Sequence, residues 1–112
     1  MNLYLLSQTQ NQSYDTYDSA VVAAESEEHA RATHPSSSDK IRANMEEDVW
    51  EECTDEYPRS FRAERKPTKV WRPVDPRGND WSSRPSAVSV TLIGTAVDGT
   101  SAGVICASYN AG

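Results

Sequence analysis

Large apolar side chains are scarce in this chain. One phenylalanine, four leucines and three isoleucines are spread over 112 residues, and only valine, with nine copies, is plentiful among the aliphatics. That share lies below the roughly 20% under which disorder becomes a live reading, so placement must supply what number does not. Five of these residues lie in 1–24 (Leu3, Leu5, Leu6, Val21, Val22) and seven in 88–105 (Val88, Val90, Leu92, Ile93, Val97, Val104, Ile105). The two ends therefore read as one core, 1–35 with 81–112, in a single domain, with 36–80 as a variable insertion.

Other shortages exclude function classes. The sequence has two cysteines, Cys53 and Cys106, far apart and in no C-x-x-C pair. Both read as reduced, with Cys106 buried in a strand. The opening MNLYLLSQTQ lacks a basic leader region, and no window approaches the ~18 apolar residues of a membrane span, so a cytoplasmic protein is expected. Bases are too few for general binding to nucleic-acid phosphates: the net charge is −6, which favours a basic or neutral partner. No phosphate loop, dinucleotide fingerprint or H-E-x-x-H zinc motif is present. His29, His34, Cys53 and Cys106 do not have zinc-knuckle spacing. A set of Ser19, His34 and Asp18 can be drawn on paper, as in most chains, so no catalytic residue, metal or cofactor is assigned.

What is present reads as alternating strands and helices. Leu3–Thr9 is a short apolar strand, and Ser19–Glu25, with its paired valines, is a second. Ser26 caps a helix that Pro35 stops, with Glu27 and Glu28 favoured in its first turn. Ile41, Met45, Val49, Trp50 and Cys53 fall at i, i+4, i+8, i+9 and i+12, the stripe of a second helix over Asp39–Cys53. Prolines from Pro58 onward forbid long helix. AVSVTLIGTAV and GVICASYN, joined by a turn at DGTSAG, read as an antiparallel hairpin. The fold expected is α+β: a small antiparallel four-stranded sheet with one or two helices packed on one face.

Charge is segregated. Residues 46–56 hold seven acids and no base, while 59–84 hold eight of the eleven bases. Two readings stand. The blocks neutralise each other within the fold, or they form two recognition surfaces: an acidic face of Glu46, Glu47, Glu51 and Glu52, and an arginine–tryptophan arm. Trp71 beside Arg72 and Trp81 near Arg84 are interface hot-spot types that also stack on nucleotides, although a tryptophan in so small a protein more often caps the core. The loop SYDTYD crowds Tyr14, Asp15, Tyr17 and Asp18 into one stretch. It reads as a tight polar loop or as a contact patch, since tyrosine is favoured at interfaces.

YDTYDSAVVAAESEEHARATHP near the start and VTLIGTAVDGTSAGVICASYNAG at the end resemble a group of small phage and prophage proteins. The resemblance covers residues 1–35 and 81–112 and fades in 36–80; His29, where an acid would complete the helix cap, is a departure. It implies no catalytic residue. It implies genomic company, because small acidic phage proteins are frequently inhibitors of bacterial defence. The expected function is thus a non-enzymatic protein that binds and blocks a defence component of the infected host, in the manner of an anti-CRISPR protein. The alternative is a sponge that sequesters a cyclic-nucleotide or ADP-ribose-type immune signal, with Trp71, Trp81 and Arg72 as its pocket. With so few large apolar residues, a homodimer would supply further burial.

Overall fold

The computed structural model describes residues 1–57 and 66–110. Among them, β1 (Asn2–Ser7), β2 (Thr16–Ala24), β6 (Ser89–Thr95) and β7 (Gly103–Asn110) form one antiparallel sheet. A second antiparallel sheet joins β3 (Ile41–Asn44), β4 (Val49–Glu56) and β5 (Thr68–Pro73) in that order. Between them runs α1 (Glu27–Arg31), little more than one turn. Ser26 caps it, its side chain accepting from the His29 N–H.

The architecture is mostly β, which overturns the α+β expectation. The second helix does not exist. Its residues instead make the β3–β4 hairpin, with Asn44 opposite Val49. The apolar stripe misled because Val49, Trp50 and Cys53 are also acceptable in a half-buried strand, and the branched and aromatic members prefer one. The turn Met45–Asp48 carries the deciding local chemistry. Asn44 Oδ1 accepts from the Glu47 N–H, and Asp48 adopts the left-handed region at φ 54°, which Asp tolerates better than most residues.

The expected terminal hairpin is also corrected. The strand order is β6-β1-β2-β7, so β6 and β7 occupy opposite edges and do not pair. Gly99 does turn the chain, at φ 88°. The β1–β2 hairpin, however, offers two unsatisfied outer edges, and the β6–β7 connection passes across its end to fill both. Each edge strand carries a bulge, at Leu3/Tyr4 against β6 and at Val21/Val22 against β7.

One core lies between the sheets. Tyr4, Leu6, Ala20, Val22 and Ala24 contribute from the central strands, Ala30 from α1, and Trp50, Trp81 and Val88 from the rest. The middle segment thus supplies a principal core residue in Trp50. Its indole N–H donates to Ser82 Oγ at 3.2 Å, and Ser82 donates in turn to the Arg84 carbonyl at 2.9 Å. Trp81 is fully buried. It is core, not an exposed contact, and its indole N–H has no partner among the described residues. Cys106 is exposed rather than buried, and both cysteines are free.

A polar clamp ties the β3–β4 turn to the segment before β6. Asp48 accepts from the Ser86 N–H at 2.9 Å and from its hydroxyl. The hydroxyl bond, above all, lowers the Asp48 carboxyl below its ordinary value; partial desolvation opposes it, and the Ser86 N–H and Arg84 assist. A carboxyl depressed in the folded state contributes stability that is complete above the unfolded value and drains away as pH falls through the folded one. Ser86→Ala therefore lowers the urea midpoint near neutrality, and its difference from wild type narrows as pH falls below the ordinary aspartate range. Trp81→Ala costs about 3–5 kcal/mol by urea unfolding, and Trp81→Phe a fraction of that, because no indole hydrogen bond is lost.

Candidate functional site

Side-chain amides build the end of the molecule where the β1–β2 loop lies. Gln8 is buried; its Nε2 donates to the carbonyls of Asn11 (2.6 Å) and Tyr17 (2.9 Å), and its Oε1 accepts from the Asn11 N–H at 2.8 Å. Asn11 Nδ2 donates to the Asn79 carbonyl at 2.6 Å, and Gln10 Oε1 accepts from both the N–H and the hydroxyl of Ser83. Thr16 Oγ1 donates to the Ser13 carbonyl at 2.6 Å. The Asp15 N–H donates to the Asn110 carbonyl at 2.6 Å, with Asp15 itself left-handed at φ 61°. A loop so cross-linked loses little further entropy when a partner contacts it. At its apex Tyr14 is 74% exposed.

The predicted SYDTYD residues separate into roles. Tyr14, Asp15 and Asp18 are exposed, whereas Tyr17 is half-buried and packs against the core. The Tyr17 ring lies 4.9 Å from that of Tyr109 and edge-on to His34 at 6.3 Å. The Tyr109 hydroxyl is pushed above its ordinary range, first by desolvation, then by the negative charges of Asp15 and Asp80. The sequence marks neither Tyr109 nor Asp80: sheet register sets Tyr109 beside Tyr17, and the loop residue Asp80 is brought in by its carbonyl, which accepts from the Tyr17 N–H at 2.8 Å.

The arginine–tryptophan arm is not assembled. Trp71 lies under Arg42, whose guanidinium carbon is 4.1 Å from the ring centroid, and Arg42 Nε donates to Glu51 Oε1 at 3.0 Å. Arg72 pairs with Glu56 at 3.3 Å. Arg84 is exposed and opens the short turn Pro85–Ala87, while Trp81 is inside. Arg59, Arg62 and Arg65, the other bases assigned to this arm before Lys66, lie outside the described residues.

The acidic face is likewise divided. Glu51 and Glu52 are successive strand residues and point to opposite sides of β4, and only Glu46 and Glu47 stand exposed together, at the hairpin tip. Opposite β4, the register sets Arg72 against Glu52 and Lys69 against Asp55. Among the described residues, then, much of the acidic block meets the basic one inside the same sheet.

His34 is placed at the junction of the sheets and lies edge-on to Trp50 at 5.3 Å. Its Nε2 is 3.3 Å from Asp80 Oδ1 and its Nδ1 is 2.7 Å from Ser36 Oγ. Neither Ser19 nor Asp18 contributes. The Ser36–His34–Asp80 order invites a catalytic reading, but the geometry argues for a structural joint. The Ser36 N–H donates to His34 Nδ1, that of Ser37 to the His34 carbonyl, and that of Ser38 to Ser36 Oγ. The amides beside the hydroxyl are thus consumed and none is free to hold an oxyanion.

Beside the rigid loop is a cleft of about 520 Å³, bordered by Gln10, Asn11, Trp50, Pro73, Arg77 and Asn79, within the range of small-molecule sites. Asn11 and Asn79 spend their amides on the backbone. The Arg77 side chain, 92% exposed and paired with Asp75, supplies the positive charge. No group of three or more metal-ligating side chains is found among the described residues, and no helix there is long and apolar enough to cross a membrane. Compared with known proteins, the chain matches no family model, no curated protein and no solved structure.

Proposed function

We propose that this chain is a phage-encoded binding protein that acts in the cytoplasm of an infected bacterium, where it inhibits an anti-phage defence component by occupying it, without catalysis. The observation that carries the binding reading is Tyr14, held 74% exposed at the apex of a loop fixed by the amides of Gln8, Gln10 and Asn11. A large aromatic kept in water on a pre-organised loop is the kind of anchor on which interfaces concentrate their energy. The acids around it, Asp15 and Asp18, and the tip residues Glu46 and Glu47 suit a basic partner, in keeping with a net charge of −6. The defence context comes from the resemblance to small phage proteins.

A tagged pull-down from defence-expressing bacterial lysate, read by native mass spectrometry, tests this. A stoichiometric defence complex is expected on the wild-type protein. Tyr14→Ala weakens its capture at least tenfold, and the double reversal Glu46→Lys, Glu47→Lys weakens it more strongly at low salt than at high. Capture that survives both variants unchanged removes this surface from consideration.

A second reading, sequestration of a nucleotide immune signal, is favoured by the cleft. Pro73 and Pro76 give it apolar lining beside the edge of the buried Trp50, and Arg77 offers a charge for a phosphate. If that reading holds, cyclic di- or trinucleotides raise the melting temperature, and Arg77→Ala removes the shift. An unchanged melting temperature with all of them, and with cyclic ADP-ribose isomers, rejects it.

A further inference from the structure

His34 is a buried titratable group that the binding surface does not use, and its two ring nitrogens are held in opposite roles. The Ser36 N–H donates to Nδ1 at 3.1 Å, so Nδ1 offers a lone pair and does not carry the proton of the neutral ring. That proton therefore sits on Nε2, which faces Asp80 Oδ1 at 3.3 Å. The Ser36 hydroxyl, 2.7 Å from Nδ1, accepts from the Ser38 N–H at 3.3 Å and keeps its own hydrogen for the ring. A single lone pair on His34 thus holds together the turn that follows Pro35, in which Ser37 takes the left-handed region at φ 59°.

The groups around the ring favour a second proton. Asp80 is the one carboxylate within ion-pair distance of His34 among the described residues, and no lysine or arginine there competes for it. From β2 the phenol ring of Tyr17 meets His34, and from β4 the indole of Trp50. Beyond Tyr17 stand Tyr109 and the Asp15 carboxylate. The turn residues Ser36, Ser37 and Ser38 carry no charge, nor do Ile41 of β3 and Gly103 and Val104 of β7, which share a cleft with His34.

We infer that His34 is a proton-operated switch for the Ser36–Ser38 turn. A second proton taken from solvent lands on Nδ1, because Nε2 already holds one. Nδ1 then changes from acceptor to donor. It directs its N–H at Ser36 Oγ, the hydroxyl hydrogen rotates away, and the Ser36 N–H loses its partner. The contact with Asp80 becomes charge-assisted and tightens, so the ring stays at the junction of the sheets while the turn resets beside it. Ser37 and Ser38 border a cleft of about 470 Å³, with Ile41 on one side and Gly103 and Val104 at the β7 edge. Resetting the turn therefore changes the shape of that surface with pH and leaves both sheets folded.

Nuclear magnetic resonance of the whole chain across a pH titration tests this. At the alkaline end the ring nitrogens are expected to show a bare Nδ1 and a protonated Nε2. As pH falls, the Ser36 and Ser38 amides move with the same midpoint as the His34 ring, the Ser36 proton toward the upfield position of an unbonded amide. The Ser86 amide, bonded to Asp48, is the control, since it follows a depressed carboxyl and moves separately at lower pH. His34→Asn places an amide oxygen where Nδ1 stood, with no proton to gain, and abolishes the movement at Ser36 and Ser38. Should that variant fail to fold, Asp80→Asn keeps an acceptor for Nε2–H without the negative charge and moves the Ser36 transition to lower pH. A neutral ring with its proton on Nδ1 overturns the inference. So does a Ser36 amide that stays still through the His34 titration or moves with Ser86 instead, or a Ser36 transition unchanged in either folded variant.

Discussion

Two indoles carry the packing of this protein. With one phenylalanine and four leucines in the whole chain, large aliphatics are few between the sheets: Leu6, Val22 and Val88 are the buried ones, beside small alanines. Trp50 reaches from the three-stranded sheet and Trp81 from the segment before β6. Together they bury the area that several leucines would supply elsewhere. Much else is arranged to hold these rings. Ser82 receives one indole N–H, Asn79 braces the backbone around the other by accepting from the Trp81 N–H and donating to the Ser82 carbonyl, and His34 closes edge-on against Trp50.

The cross-links that serve packing also shape the candidate site. Asn11 reaches Asn79, and Gln10 reaches Ser83, so the loop that presents Tyr14 is fastened to the same short segment that seats Trp81. Core and loop are thereby one mechanical unit. His34 with Asp80 and Ser36 belongs to this scaffold, and its resemblance to a catalytic set ends where the nearby amides are already spent.

The four strands at the chain ends were legible because apolar pairs and alternation place them there, and Ser26 announced its helix through capping chemistry. The Asp39–Cys53 segment was not legible. Its five apolar positions satisfy a helical stripe, yet the same residues also fit a hairpin, and only the Asn44–Asp48 turn chemistry tells them apart. The β6–β7 pairing failed for another reason: turn residues specify a reversal, not which strand fills the space beside it. At the site, SYDTYD reads as a loop, but only Ser13, Tyr14 and Asp15 lie in one: β2 already begins at Thr16 and takes in Tyr17 and Asp18. The bracing amides Gln8, Gln10 and Asn11 stand close together in the sequence, but nothing local says that Gln10 and Asn11 will bond to residues near position 80. Trp81 and Trp71 read alike in sequence, and only tertiary packing sends one inside and leaves the other beneath Arg42.

The strand order also governs how the chain finds its fold. The β1–β2 hairpin joins neighbours in sequence and can close early, on a short loop. Its two flanks are then filled by segments about ninety residues away along the chain, as in Asn2 with Thr95 and Thr16 with Asn110, so most of the sheet's hydrogen bonds wait on non-local encounters. Until those arrive, both flanks of a nearly uncharged hairpin stand open to any extended strand, including one from another molecule. The interval between forming the centre of the sheet and closing its borders is thus when the protein is most exposed to misassembly, and a holding chaperone would act there.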